Sequence, residues 1–138
     1  MLAYRKVGSC YQVEDRYEIR TELKLDRSGF SDRVRISSDG VLTIGEGYAW
    51  DGPSGPTFDR ETTLRASCIH DALYHLIRRG QINFEYWREC DRVMGRVMKE
   101  DGAWKITRTT YMAGLRLANG RAAKSKSKTY YCGVKRDS

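Results

Sequence analysis

Between residues 17 and 25 the chain alternates with a period of two. Tyr17, Ile19, Thr21, Leu23 and Leu25 fall on one side, and Glu18, Arg20, Glu22 and Lys24 on the other. That pattern marks a half-buried strand. The segment before it is mixed, with one short strand expected around Cys10 to Val13. Asp26-Arg27-Ser28-Gly29 reads as a turn. Val34 and Ile36 alternate with Arg33 and Arg35 in a further strand, and Ser38-Asp39-Gly40 makes a tight hairpin into residues 41–44. The first third therefore reads as a small antiparallel sheet.

The periodicity then becomes helical. Asp59 reads as the N-cap of a helix that runs to about Arg79 and is closed by Gly80, with Leu64, Cys68, Leu73, Leu76 and Ile77 on its apolar side. A second helix follows Asn83 and runs to about Glu100, with Phe84, Trp87, Val93, Met94, Val97 and Met98 as burial candidates; Asp101-Gly102 ends it. A third spans about Trp104 to Ala118 and stops at Asn119-Gly120. The short links predict antiparallel neighbours. The fold class is α+β: a small antiparallel β-meander packed with a three-helix unit. Residues 1–120 form one domain, and 121–138 a basic tail with a short edge strand at 129–134. There are no internal repeats.

Charge sharpens this division. Of the net +7, the tail holds +5, from Arg121, Lys124, Lys126, Lys128, Lys135 and Arg136 against Asp137, and the first 120 residues hold +2. The body is not a basic protein, which places nucleic acid low among candidate primary partners. No apolar run has the length of a membrane span. Met1-Leu2-Ala3-Tyr4-Arg5-Lys6 lacks the apolar stretch of a secretory signal, which predicts synthesis in a reducing cytoplasm. The four cysteines (Cys10, Cys68, Cys90, Cys132) have no paired metal spacing and are expected to be mostly free thiols, with a disulfide open to a protein that leaves the cell.

Two stretches carry candidate chemistry. Residues 45–56 hold six glycines and prolines around Tyr48, Trp50, Asp51 and Ser54. Such a loop can aim backbone groups at a ligand, or it can be a crossover in which Trp50 plugs the core. Downstream stands Cys68-Ile69-His70-Asp71-Ala72-Leu73-Tyr74. His70 and Tyr74, four apart, share a helix face, and Asp71 lies on a neighbouring stripe. Asp91, early in the next helix, comes level with His70 if the two helices are antiparallel. A carboxylate on one imidazole nitrogen fixes the tautomer and leaves the other nitrogen as a base. Asp71 with loop carbonyls can then hold a hard cation, giving metal-assisted hydrolysis by water. The plainer reading makes His70 a buried hydrogen-bonding group, pairs Asp71 with Arg65 or Arg78, and has Tyr74 fill the core. His75 is expected at the surface. A zinc site from Cys68, His70 and Cys90 lacks a fourth ligand, a phosphohydrolase site lacks histidines, and neither Ser54 nor Ser67 lies in a nucleophile motif.

The stretch from Gly47 to Pro56, then His70-Asp71-Ala72-Leu73-Tyr74, Cys90-Asp91-Arg92-Val93-Met94 and the segment from Tyr111 to Gly120 resemble a phage-encoded family, domain of unknown function 1353, over about residues 10–120. That resemblance implies a phage or prophage origin and no settled activity. A glycine loop, a His-Asp-x-x-Tyr helix and a following helix with an aspartate are also similar, more distantly, to the core of phospholipase A2. The likeness implies His70 as general base, Asp91 as its orienting partner, Tyr74 as support for Asp91, Asp71 as a calcium ligand, and Gly52 and Gly55 in the calcium loop. Cys90 also matches. Leu73 stands where the secreted enzymes have a cysteine, and Asp51-Gly52-Pro53-Ser54 departs from their calcium-loop signature.

Two functions follow as expectations. One is a calcium-type hydrolase of lipid or cell-envelope substrates, with Trp50, Asp51 and Ser54 lining the substrate loop. Lys124, Lys126 and Lys128 would contact an anionic membrane surface or other virion proteins, each cation contributing about 1 kcal/mol at such a surface. The other is a non-enzymatic virion or assembly protein, made in the host cytoplasm, in which the His/Asp/Tyr cluster is a structural polar network.

Overall fold

The computed structural model describes residues 1–52, 61–103, 105–110, 112–113, 130–131 and 134–135. Strands β1 (Tyr4–Val7) and β2 (Cys10–Val13) form a hairpin, and β7 (Ala49–Trp50) pairs with β2 to complete a three-stranded antiparallel sheet. Strands β3 (Tyr17–Arg20), β4 (Gly29–Ser31), β5 (Val34–Ile36) and β6 (Val41–Ile44) form a second antiparallel sheet in the order β3-β6-β5-β4. The expected single sheet is thus two.

The strand expected over residues 17–25 stops at Arg20. The Thr21 hydroxyl donates to the Gly40 carbonyl at 2.7 Å and accepts from the Leu23 amide at 3.2 Å, while Glu22 takes a left-handed φ of 68°. The chain leaves the ladder to wrap around the corner at Gly40, where a Cβ would stand 2.4 Å from the Leu23 carbonyl oxygen, so no other residue fits. Leu23 stays buried all the same. Alternation reported burial correctly and hydrogen bonding incorrectly.

Helices α1 (Glu61–Arg78) and α2 (Trp87–Glu100) are joined by a short 3-10 turn, Phe84–Tyr86, capped by the Asn83 side chain. They run antiparallel, because Arg65 contacts Asp101 while His70 and Tyr74 contact Asp91. Both end in one motif. Gln81 N–H bonds to Leu76 C=O and Gly80 N–H to Ile77 C=O; Ala103 and Gly102 repeat this on Met98 and Lys99. The Asp59 cap lies outside the described residues. A third helix is present at 105–110 and 112–113. In the tail, Tyr130–Tyr131 and Val134–Lys135 pair with each other as a separate two-stranded sheet; the rest of the segment 129–134 lies outside the described residues.

One core joins these layers. Val34, Ile36, Leu42 and Ile44 from the second sheet and Trp50 from the first meet Ile69, Leu73 and Leu76 of α1 and Val97 and Met98 of α2, all fully buried. Trp50 is the core plug. Its indole N–H donates to Ser67 Oγ at 3.1 Å, and its ring meets those of Tyr4 and Tyr11. Arg65 ties the far end together, forking onto Asp101 and reaching the Tyr17 hydroxyl. No described helix is long and apolar enough to cross a membrane. Cys68 and Cys90 are buried thiols outside any disulfide, whereas Cys10 is in one.

Candidate active site

Helix α1 lies between the sheets and α2, so nearly all of its surface is covered. From Ala66 to Ile77 every residue is buried except His70 and Asp71. The His-Asp pair is thus where the middle of the most enclosed helix reaches solvent.

His70 Nε2 stands 2.7 Å from Asp91 Oδ1, and the Tyr74 hydroxyl donates to that same oxygen at 2.7 Å. An ionised carboxylate can only accept, so Nε2 carries the proton and Nδ1 is the bare, basic nitrogen. Among the described residues Nδ1 has no hydrogen-bond partner, and 12% of the side chain is exposed, against 4% for Asp91. The His70 and Tyr74 rings lie 4.2 Å apart, as expected for side chains one turn apart on a helix. Burial, reinforced by the Asp91 carboxylate, pushes the Tyr74 phenol far above the ordinary tyrosine range, which keeps it a donor. Burial likewise pushes the Cys90 thiol up, and the charges of Asp91 and Glu89 add to this. That is the opposite of what a reactive thiolate needs.

Asp71 accepts a hydrogen bond from the buried Tyr48 hydroxyl at 2.6 Å. Arg65 is engaged by Asp101, Glu100 and Tyr17 instead of Asp71. A calcium ion takes six to eight oxygens. Among the described residues no three His, Cys, Asp or Glu side chains stand together as a cation site. Asp71 supplies one carboxylate, already half committed to Tyr48.

Of the remaining predicted residues, Asp51 is exposed. Gly52 has a φ of 83°, and a Cβ there would come 2.8 Å from the Tyr11 ring, so its backbone presses on the first sheet. Ser54, Gly55, Lys124, Lys126 and Lys128 lie outside the described residues. Trp50 is fully buried and presents no surface to a ligand.

Two participants escaped the sequence reading. Tyr48 was read only as part of a glycine-rich loop, yet its hydroxyl holds Asp71. His75, expected at the surface, is 2% exposed and sits 2.6 Å from Asp32 Oδ2, with both side chains enclosed. The cause is that α1 is covered by sheet on one side and helix on the other, so a polar residue off its apolar stripe is still buried. Asp32, in a left-handed turn (φ 54°), meets it from the β4–β5 connection.

Comparison of the chain with family models, with curated proteins and with solved structures returns no match, and the functional reading rests on this geometry.

Proposed function

We propose that the chain is a phage-encoded hydrolase of ester bonds in lipid or cell-envelope substrates, in which His70 activates water. The observation that carries this reading is an imidazole, 12% exposed, whose Nε2 is fixed 2.7 Å from a buried carboxylate and whose Nδ1 has no hydrogen-bond partner among the described residues. Nδ1 takes a proton from water as the oxygen attacks the carbonyl carbon. When the carbon–oxygen bond of the ester breaks, the imidazolium returns that proton to the leaving alkoxide. Asp91 holds the ring and balances its transient charge, and Tyr74 holds Asp91. On the same reading a calcium-type cation, where Asp71 held one, would supply charge stabilisation at the carbonyl oxygen; the proton steps above stand without it.

The expected result is fatty-acid release from anionic liposomes by the wild type, reduced on the order of 100-fold or more in His70→Gln. Equal release by both proteins would end the assignment. Calcium is expected to raise the melting temperature of the wild type and not of Asp71→Asn. An unchanged melting temperature in both would remove the cation and leave the base.

One observation favours a second reading. The Tyr48–Asp71 bond adds a further pair beside the Asp91 cluster, as in a structural polar network. A virion or assembly protein built on such a network would co-purify with particles in stoichiometric copies and release no fatty acid.

A further inference from the structure

A cavity of about 310 Å³ is lined by Trp87, Arg88, Asp91 and Arg92 of α2 and by Met112 of the third helix. We propose that it binds a phosphate group, held between the guanidinium groups of Arg88 and Arg92.

The arginines around α2 fall into two kinds. Arg65 forks onto Asp101, and Arg96 donates to the carbonyls of Thr21 and Arg20 and meets Glu22 and Glu100. Those cations are consumed in holding the fold. Arg88 makes no hydrogen bond or ion pair with the described residues; its guanidinium lies 5.1 Å from the centre of the Trp87 ring. A guanidinium over an indole face keeps its N–H edge free for a ligand. Among the described residues Arg92 has a single loose contact, 3.6 Å to Glu89, with 71% of its side chain exposed. Such a pair is worth little and is easily exchanged.

Arg88 and Arg92 are four apart, so their side chains rise from one helix face about 6 Å apart at Cβ. A carboxylate's two oxygens are satisfied by one guanidinium fork. A phosphate offers three or four oxygens and can take both forks at once. Asp91 in the lining is a negative charge that the neutral donors His70 and Tyr74 do not cancel, but it is buried while the two arginines are exposed, and with them the lining carries a net positive charge. The cavity is also large enough for a phosphate with part of the group it esterifies.

The test uses the full chain, with thermal stabilisation by inorganic phosphate against sodium chloride at equal ionic strength, and sedimentation with phosphatidylglycerol vesicles. Arg88→Gln with Arg92→Gln is compared with Arg16→Gln with Arg20→Gln, which removes equal charge from exposed positions on β3 and just before it. The expected result is that the α2 pair loses roughly tenfold or more in affinity and the control keeps it. Loss with inorganic phosphate assigns a free-phosphate site. Loss with vesicles alone assigns the phosphate of a lipid headgroup. An equal response of both double variants to both probes, or no response of the wild type to either, overturns the proposal. His70→Gln is expected to bind phosphate normally, so this site and the hydrolase reading fail separately.

Discussion

A single carboxylate oxygen, Asp91 Oδ1, receives both the imidazole and the phenol. Sharing one acceptor fixes two rings with one buried charge, which is why Tyr74 belongs with the site and not merely with the core. Its phenol is shifted upward, so the folded state keeps a proton that the unfolded chain loses near pH 10. The unfolded state then binds fewer protons, and stability falls as pH rises beyond that point. Wild type is therefore expected to lose stability above pH 10 more steeply than Tyr74→Phe in denaturant titrations across pH 8–11; parallel curves would mean that the phenol is not held this way. That His70 and Tyr74 share a face was legible from helical spacing, whereas Asp91 could be brought level with them only by taking the two helices as antiparallel. Tyr48 and His75 were not legible as participants, since each acquires its carboxylate partner only through tertiary packing between a loop or turn and α1.

Elements were most legible where their ends are written in local chemistry. Gly80 follows α1 with a φ of 72°, and the Leu76 and Ile77 carbonyls bond across it. Nothing lies within 4 Å of a Cβ placed there, so Gly80→Ala meets no clash and costs conformational strain alone. A loss of about 1 kcal/mol is expected by chemical denaturation; no loss would mean that the helix end relaxes freely. Strand β3 shows the opposite case. Its alternation runs on past Arg20, but a threonine hydroxyl and the Gly40 corner take over the hydrogen bonds, and periodicity carries no record of such side-chain competition. Short strands such as β1 and β7 were missed for a related reason. Four exposed residues in one, and two buried residues in the other, offer no pattern to count.

At the scale of the whole molecule, α+β class and an antiparallel helix pair followed from segment order and link length, whereas the division into two sheets depended on which strands find β2 and β6. The helix pair is clamped at both ends of the site, by Arg65 on Asp101 and by Asp91 on His70 and Tyr74. Two buried thiols flank the dyad in sequence: Cys68 on α1 and Cys90 on α2 each have no exposed surface, and each lies within two residues of one of its members. The protein therefore carries built-in reporters of its own breathing. Alkylation rates at these two positions, read by peptide mass, should track how often the core around the helix pair opens, and a variant that slackens the dyad should be tagged faster at both.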